Sequence, residues 1–257
     1  MATALITGAS AGIGKTFAQQ LAAKGHDLVV VARDEARLAD LKSRLESEHG
    51  ISVEVLPADL TERLDVQDVA ARLADPAKPV DMLVNNAGYG LKKGFLDNDI
   101  VDEEHMLTIL VRTPVVLSHA AAKAMRERGH GAIINVSSMA GFLATGTYAA
   151  AKSYLTTFSE SLAAELDGTG VTVTALCPGF TRTEFHQRAG ITRQQLPDAL
   201  WLDADKLVSQ CLRDVDRGKV ISVPGVHYKA AAGLLDVLPR GVARNSAFKS
   251  RHRPQAR

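Results

Sequence analysis

The chain has 257 residues, 46% hydrophobic and 23% charged, with a formal net charge of +1. This is ordinary globular usage, sufficient to bury one substantial α/β core, and the near-zero charge supplies no general field for nucleic acid. The two cysteines, Cys177 and Cys211, have no partner spacing, which excludes a disulfide framework or thiolate metal site and fits a reducing cytoplasm; no long apolar run or leader-like N-terminus suggests a membrane span or secretion.

Short apolar or β-branched runs occur at 2–7, 27–32, 52–57, 80–85, 132–137, 171–177 and 220–223, separated by longer stretches of helical period. Phe17, Leu21 and Ala22 recur at helix spacing before Gly25, as do Leu38, Leu41 and Leu45 before Gly50. Such alternation predicts βαβ units with right-handed crossovers. The expected fold class is a doubly wound, Rossmann-like α/β parallel sheet of about seven strands with helices on both faces. One dinucleotide-binding and catalytic domain is expected over 1–225. A basic extension, 226–257, follows and is read as partly disordered or lying at a subunit interface. Residues 229–257 carry seven Lys or Arg against one Asp. A stripe of Leu234, Leu235, Val237 and Leu238 there could dock on a subunit or an anionic membrane surface, but Pro239 and Gly241 would cut its helix short, which favours a solvated end.

The first strand runs into Thr7-Gly8-Ala9-Ser10-Ala11-Gly12-Ile13-Gly14, after which a helix begins. Glycines allow a tight turn and close approach of backbone to a pyrophosphate, and the helix N-terminus attracts its charge. Gly8, Ser10, Gly12, Ile13 and Gly14 are therefore candidate nucleotide contacts. The spacing is Gly-x3-Gly-x-Gly, and position at the first βα turn strengthens it over a mere tight connection. An acid ending the second strand would select NAD through the ribose hydroxyls, but the sequence there reads Val31-Ala32-Arg33-Asp34. Ala32 leaves room for a 2′-phosphate and Arg33 could grip it, so NADP (NADPH) is the preferred cofactor and NAD a possible one. Asp34 could neutralise Arg33 or itself reach the ribose, and Arg33 could equally be a solvated helix-start residue.

Three further segments carry chemistry: Asn85-Asn86-Ala87-Gly88 ending one strand, Ser137-Ser138 ending the next, and Tyr148-Ala149-Ala150-Ala151-Lys152 opening a helix. Tyr148 and Lys152 are four apart and share a helix face, so an ammonium beside the phenol is expected to lower its pKa toward the working range of an acid–base catalyst. With Thr7 to Gly14, Asp59 and Pro178-Gly179 in the same order, the chain resembles the short-chain dehydrogenase/reductase family over about residues 1 to 225. The resemblance implies that Ser138 orients the substrate oxygen, Tyr148 transfers a proton and Lys152 also binds the nicotinamide ribose. It implies adenine contact for Asp59 and ribose contact for Asn86, with Ala87, Gly88, Pro178 and Gly179 also among the cofactor contacts. Thr181 or Thr183 would touch the carboxamide or the pyrophosphate. Helix capping is the plain alternative for Asp59, and turn chemistry for Asn86.

Two departures stand out from the family pattern. Leu110 occupies the place of an asparagine that helps hold a relay water. Either backbone carbonyls and Thr108 serve instead, or turnover is slow, or the protein is an NADP-binding sensor with weakened catalysis. The loop between Ser138 and Tyr148 is also short, and Ser137 competes with Ser138. Residues 180–201, with Phe180, Phe185, Leu196, Leu200 and Trp201, read as a lid over an apolar pocket or equally as surface helices, and Arg182, Arg188 and Arg193 are its cations. The expected function is NADPH-dependent carbonyl reductase, reversible as alcohol dehydrogenase, on a moderately hydrophobic ketone or secondary alcohol. Neither a metal nor an esterase elbow is expected, and the assembly is expected to be a homodimer or homotetramer.

Overall fold

Aliphatic and β-branched residues crowd the strands on both faces, the pattern that a parallel sheet covered by helices on each side requires. The computed structural model describes residues 2–183 and 197–237. Its strands are β1 Thr3–Thr7, β2 Asp27–Ala32, β3 Val53–Pro57, β4 Met82–Asn85, β5 Gly131–Val136, β6 Val171–Leu176 and β7 Ile221–Ser222. All pair in parallel, in the order β3-β2-β1-β4-β5-β6-β7. The order reverses beside β1, where β4 joins in the register Ala4 to Met82 through Ile6 to Val84. A crevice outside the carboxyl ends of strands belongs at that reversal. Within the run at 80–85 the strand begins at Met82, just after Asp81, whose carboxylate accepts from the Thr3 N–H at 2.8 Å.

The helices are α1 Gly12–Ala23, α2 Glu35–His49, α3 Arg63–Ala74, α4 Ile100–Leu107, α5 Thr113–Arg128, α6 Gly146–Glu165, α7 Ala204–Val215 and α8 Val226–Val237. A π turn, Thr108–Arg112, joins α4 to α5. Phe17, Leu21, Leu38, Leu41, Leu45, Leu207 and Cys211 pack α1, α2 and α7 onto one face of the sheet. Val66, Val69, Leu73, Leu117, Met125 and Leu166 pack the other. Asp34 caps α2 by accepting from the Arg37 N–H at 3.0 Å, and Asp203 caps α7 from Lys206 at 3.0 Å. Beneath the crevice a buried polar ladder crosses the layers: Asn85 Nδ2 donates to Ser118 Oγ at 3.0 Å and Asn135 Oδ1 at 2.9 Å, and Asn135 Nδ2 donates to Ser159 Oγ at 2.9 Å.

The helix that follows residue 225 packs on the body of the sheet: Tyr228 and Ala232 are buried with Met139, Cys177 and Val223, and Leu235 leans on them. Of the apolar stripe, Leu234 is exposed; Leu238, Pro239 and Gly241 lie outside the described residues. Among the described residues, no helix is long and apolar enough to cross a membrane, and no group of three His, Cys, Asp or Glu could hold a metal ion.

Asp214, at the end of α7, is buried. Burial alone would raise its carboxyl, but Lys219 Nζ at 2.7 Å and Ser222 Oγ at 2.9 Å outweigh it and hold the group below its usual range. A depressed carboxylate contributes stability that is present above its unfolded pKa and is lost as pH falls through its folded one. Asp214→Asn is therefore expected to cost about 1–3 kcal/mol at neutral pH and progressively less below about pH 4, read by chemical denaturation across pH.

Candidate active site

The β1–α1 turn is built for close approach. A Cβ at Gly14 would fall 2.3 Å from the Gly8 carbonyl oxygen and 2.4 Å from Asn86 Nδ2, so only glycine lets α1 start here. Asn86 stitches this turn to the end of β4: Nδ2 donates to the Thr7 carbonyl at 2.9 Å, and the Asn86 and Ala87 N–H groups both donate to Thr7 Oγ1, at 2.9 and 3.0 Å. Its side chain is thus engaged in turn chemistry. Ile13 packs its side chain against the core. Ser10 and Gly12 line a 560 Å³ pocket together with Lys15, Arg37, Arg44, Arg182 and Thr183.

Arg33, at the end of β2, is exposed and reaches Asp59 at 3.8 Å, while Asp34 is engaged with α2 and with Arg37, at 3.4 Å. Asp34 therefore does not neutralise Arg33. The Asp59 carboxylate accepts from Thr61 N–H at 3.0 Å and Oγ1 at 2.8 Å, an Asx turn ahead of α3. Burial pushes its pKa upward, but the Thr61 bonds, Arg33 and His105 together hold it low. Lys15 and Arg37 escaped the sequence reading. The signal for Arg37 was its place in the first turn of α2, just after the β2–α2 connection that carries Arg33.

At the other end of the crevice Ser138 follows β5, accepts from the Ala140 N–H at 3.1 Å and hydrogen-bonds the Tyr148 phenol. Ser137 points the opposite way, to the Lys152 carbonyl at 2.8 Å and Thr156 Oγ1 at 2.7 Å, so it does not compete for the crevice. Tyr148 is half-buried, and its ring packs with Met106, Leu110 and Ala151. Lys152 Nζ lies 5.7 Å from the centroid of that ring and donates to the Val136 carbonyl at 2.6 Å.

The expected lowering of the phenol by the ammonium is not what this geometry produces. Burial disfavours the charged form of each group: it pushes Tyr148 up to about 12 against the opposing Ser138 bond, and Lys152 down to about 8. The ammonium is aimed at Val136 rather than at the hydroxyl, which is why the two do not offset each other. Leu110 is buried on the π turn, beside Gly88 and against Tyr148, and offers no hydrogen bond. The lysine is held instead by the Val136 carbonyl at the end of β5. Glu103, also missed, is a buried carboxylate on α4 that accepts from Thr147 Oγ1 at 2.6 Å and Asn98 Nδ2 at 2.7 Å, and so ties down the turn that carries Tyr148.

After β6, Pro178 accepts from the Met139 N–H at 3.0 Å, joining this segment to the Ser138 turn. Thr181 is buried, with Oγ1 on the Gly179 carbonyl at 3.0 Å, whereas Thr183 lies against Gly12. Of the two threonines, Thr183 is therefore the one that lies at the β1–α1 glycine turn. The Phe180 and Trp201 rings lie 5.8 Å apart; residues 184–196, with Phe185, Arg188, Arg193 and Leu196, lie outside the described residues. Cys177 and Cys211 are buried free thiols, and burial holds Cys177 up at about 11.

Residues 2–194 match the family model for short chain dehydrogenases. A short-chain dehydrogenase from Sphingobium yanoikuyae, solved in complex with NADPH, is 37% identical with a TM-score of 0.84, over 93% of this chain and 97% of that one. A bulky-bulky ketone specific alcohol dehydrogenase from Comamonas testosteroni is 32% identical with a TM-score of 0.80, over 93% and 96%. Among curated proteins, sulfoacetaldehyde reductase 2 of Chromohalobacter salexigens is 34% identical, over 80% of this chain and 83% of that one. With the parallel sheet, the glycine turn and the Ser138, Tyr148 and Lys152 cluster in place, the chain belongs to the short-chain dehydrogenase/reductase family and is an NAD(P)-dependent oxidoreductase acting on CH–OH or C=O groups.

Proposed function

We propose that the chain is an NADPH-preferring carbonyl reductase, reversible as an alcohol dehydrogenase, for a moderately hydrophobic ketone or secondary alcohol. The observation that carries this reading is the Ser138 hydroxyl bonded to a Tyr148 phenol, with Lys152 one helical turn on, at the carboxyl edge of β5. Bound nicotinamide supplies or accepts the hydride. Ser138 orients the carbonyl oxygen. Tyr148, its phenol held at about 12, keeps its proton at neutral pH and delivers it as oxygen gains charge. Lys152, held near 8 against the Val136 carbonyl, stands near the working pH, where it can return a proton. On the cofactor side, Gly8, Ser10, Gly12, Gly14 and Thr183 would hold the pyrophosphate, and Asn86, Ala87 and Gly88 would line the ribose side.

NADP preference is supported by the absence of an acid ending β2, by exposed Arg33 beside Asp59, and by Lys15 and Arg37 lining the adjoining pocket. The Sphingobium relative was solved with NADPH. Apolar character on the substrate side is supported by Tyr89, Leu91, Phe180 and Trp201, and by the ketone specificity named for the Comamonas relative. Buried free thiols fit a reducing cytoplasm. Exposed Ile100, Val101 and Leu107 on α4, with Tyr154 on α6, support a homo-oligomer. A catalytically weakened NADP sensor is not favoured, since the three reacting side chains keep one another's company.

The test is a panel of bulky ketones and secondary alcohols assayed with both cofactors. Arg33→Ala is expected to lower the NADPH-over-NADH preference in kcat/KM by about 10- to 100-fold, the loss of one or two charge-assisted bonds. A wild type that binds NADPH but turns over no carbonyl would refute the reductase reading, and an unchanged cofactor ratio would refute the role of Arg33.

A further inference from the structure

We propose that Tyr228, on the first turn of α8, is a positioning residue of the active site, so that the C-terminal helix forms part of the catalytic unit. The inference rests on the dinucleotide reading for its kinetic consequence, although the contact itself does not depend on it. The ring of Tyr228 lies flat against Gly179: a Cβ there would meet Cζ at 2.0 Å and Cε2 at 2.2 Å, so residue 179 has to be glycine for α8 to seat. The buried hydroxyl then joins two stretches of backbone, accepting from the Phe180 N–H at 3.1 Å and donating to the Leu200 carbonyl at 2.8 Å.

Those stretches also hold each other. Leu202 N–H donates to the Phe180 carbonyl at 2.7 Å, Arg182 N–H donates to the Leu202 carbonyl at 3.0 Å, and Thr181 bridges to Leu202. One end of this small ladder is tied to the Ser138 turn through the bond from Met139 N–H to the Pro178 carbonyl. The other end delivers Thr183 to Gly12 at the nucleotide turn. The phenol of Tyr228 thus adds, from α8, a further tie between the segment that would meet the cofactor and the segment that carries Trp201. Neither its packing nor its hydrogen bonds place it on the reacting atoms, so it acts on binding more than on the chemical step.

The experiment compares wild type, Tyr228→Phe and Thr174→Val. The phenylalanine keeps the ring on Gly179 and removes the two bonds. Thr174→Val removes another buried hydroxyl bond, to the Lys219 carbonyl at 2.8 Å, on β6 and outside the ladder, and serves as a control for a purely structural loss. For Tyr228→Phe the expected result is KM for NADPH and for the ketone raised about 3- to 30-fold with kcat changed less than about threefold, the fold-change corresponding to one buried donor and acceptor left unpaired. Thr174→Val is expected to leave both KM values alone. Independently of activity, emission of Trp201, the single tryptophan, is expected to shift and to be quenched more readily by acrylamide in Tyr228→Phe only. If Tyr228→Phe lowers Tm as Thr174→Val does but moves neither KM nor the Trp201 signal, the proposal is overturned. If the wild type reduces no carbonyl while the Trp201 signal still responds, the function proposed above fails and the latch stands.

Discussion

Tyr148→Phe is expected to lower kcat/KM for ketone reduction by about 10²- to 10⁴-fold, the usual worth of a positioned proton donor, while NADPH affinity stays within about threefold of wild type. The ring is what packs with Met106, Leu110 and Ala151, and phenylalanine preserves it. The hydroxyl is what Ser138 meets, and phenylalanine removes that contact. Steady-state kinetics beside a direct NADPH titration separate the two. Rates near those of wild type would place the proton donor elsewhere. A matching collapse in cofactor binding would instead show that the phenol holds the dinucleotide.

Lys152→Met is expected to abolish most turnover and yet stabilise the fold. The ammonium is buried and held near 8, against 10.5 in water, so keeping it charged at neutral pH costs on the order of 3 kcal/mol. Methionine removes that cost and leaves the Val136 carbonyl without its donor, a loss of about 1–2 kcal/mol. The net gain of about 1–2 kcal/mol corresponds to a rise in Tm of about 2–8 °C. Its pH dependence has a definite sign. Below pH 8 folded and unfolded wild type both carry the proton, so the gain is flat. Between about 8 and 10.5 the unfolded wild-type chain binds more protons than the folded one, wild type gains stability with rising pH, and the advantage of the variant shrinks. Thermal melts across pH 6 to 11 check this. A variant less stable at pH 7, or an advantage that grows with pH, contradicts the buried-charge account.

Much of the architecture was legible because its signals are local. Strands buried on both faces read as continuous aliphatic runs, and Phe17, Leu38 and Leu45 announce helices through their spacing alone. The choice between Ser137 and Ser138 was in principle legible too, since successive side chains at a strand's end point to opposite faces. What escaped was side-chain company across long stretches of chain. Arg33 meets Asp59 rather than the adjacent Asp34, Glu103 reaches Thr147, and Tyr228 reaches Gly179; none of these pairs leaves a periodic trace. The electrostatics of Tyr148 and Lys152 were misjudged for a related reason. Spacing of four residues fixes a shared helix face, but burial and the direction of the ammonium, set by the Val136 carbonyl, decide the pKa values.

The bonds from Asn86 to Thr7 have a bearing on how the molecule comes into being. The first βα turn can leave the ribosome early, but the groove facing it has only one wall until β4 arrives and Asn86 closes on it. Because a ligand that binds only the finished groove stabilises only that state, dinucleotide would stabilise the chain only once β4 has paired with β1 and Asn86 has closed on Thr7.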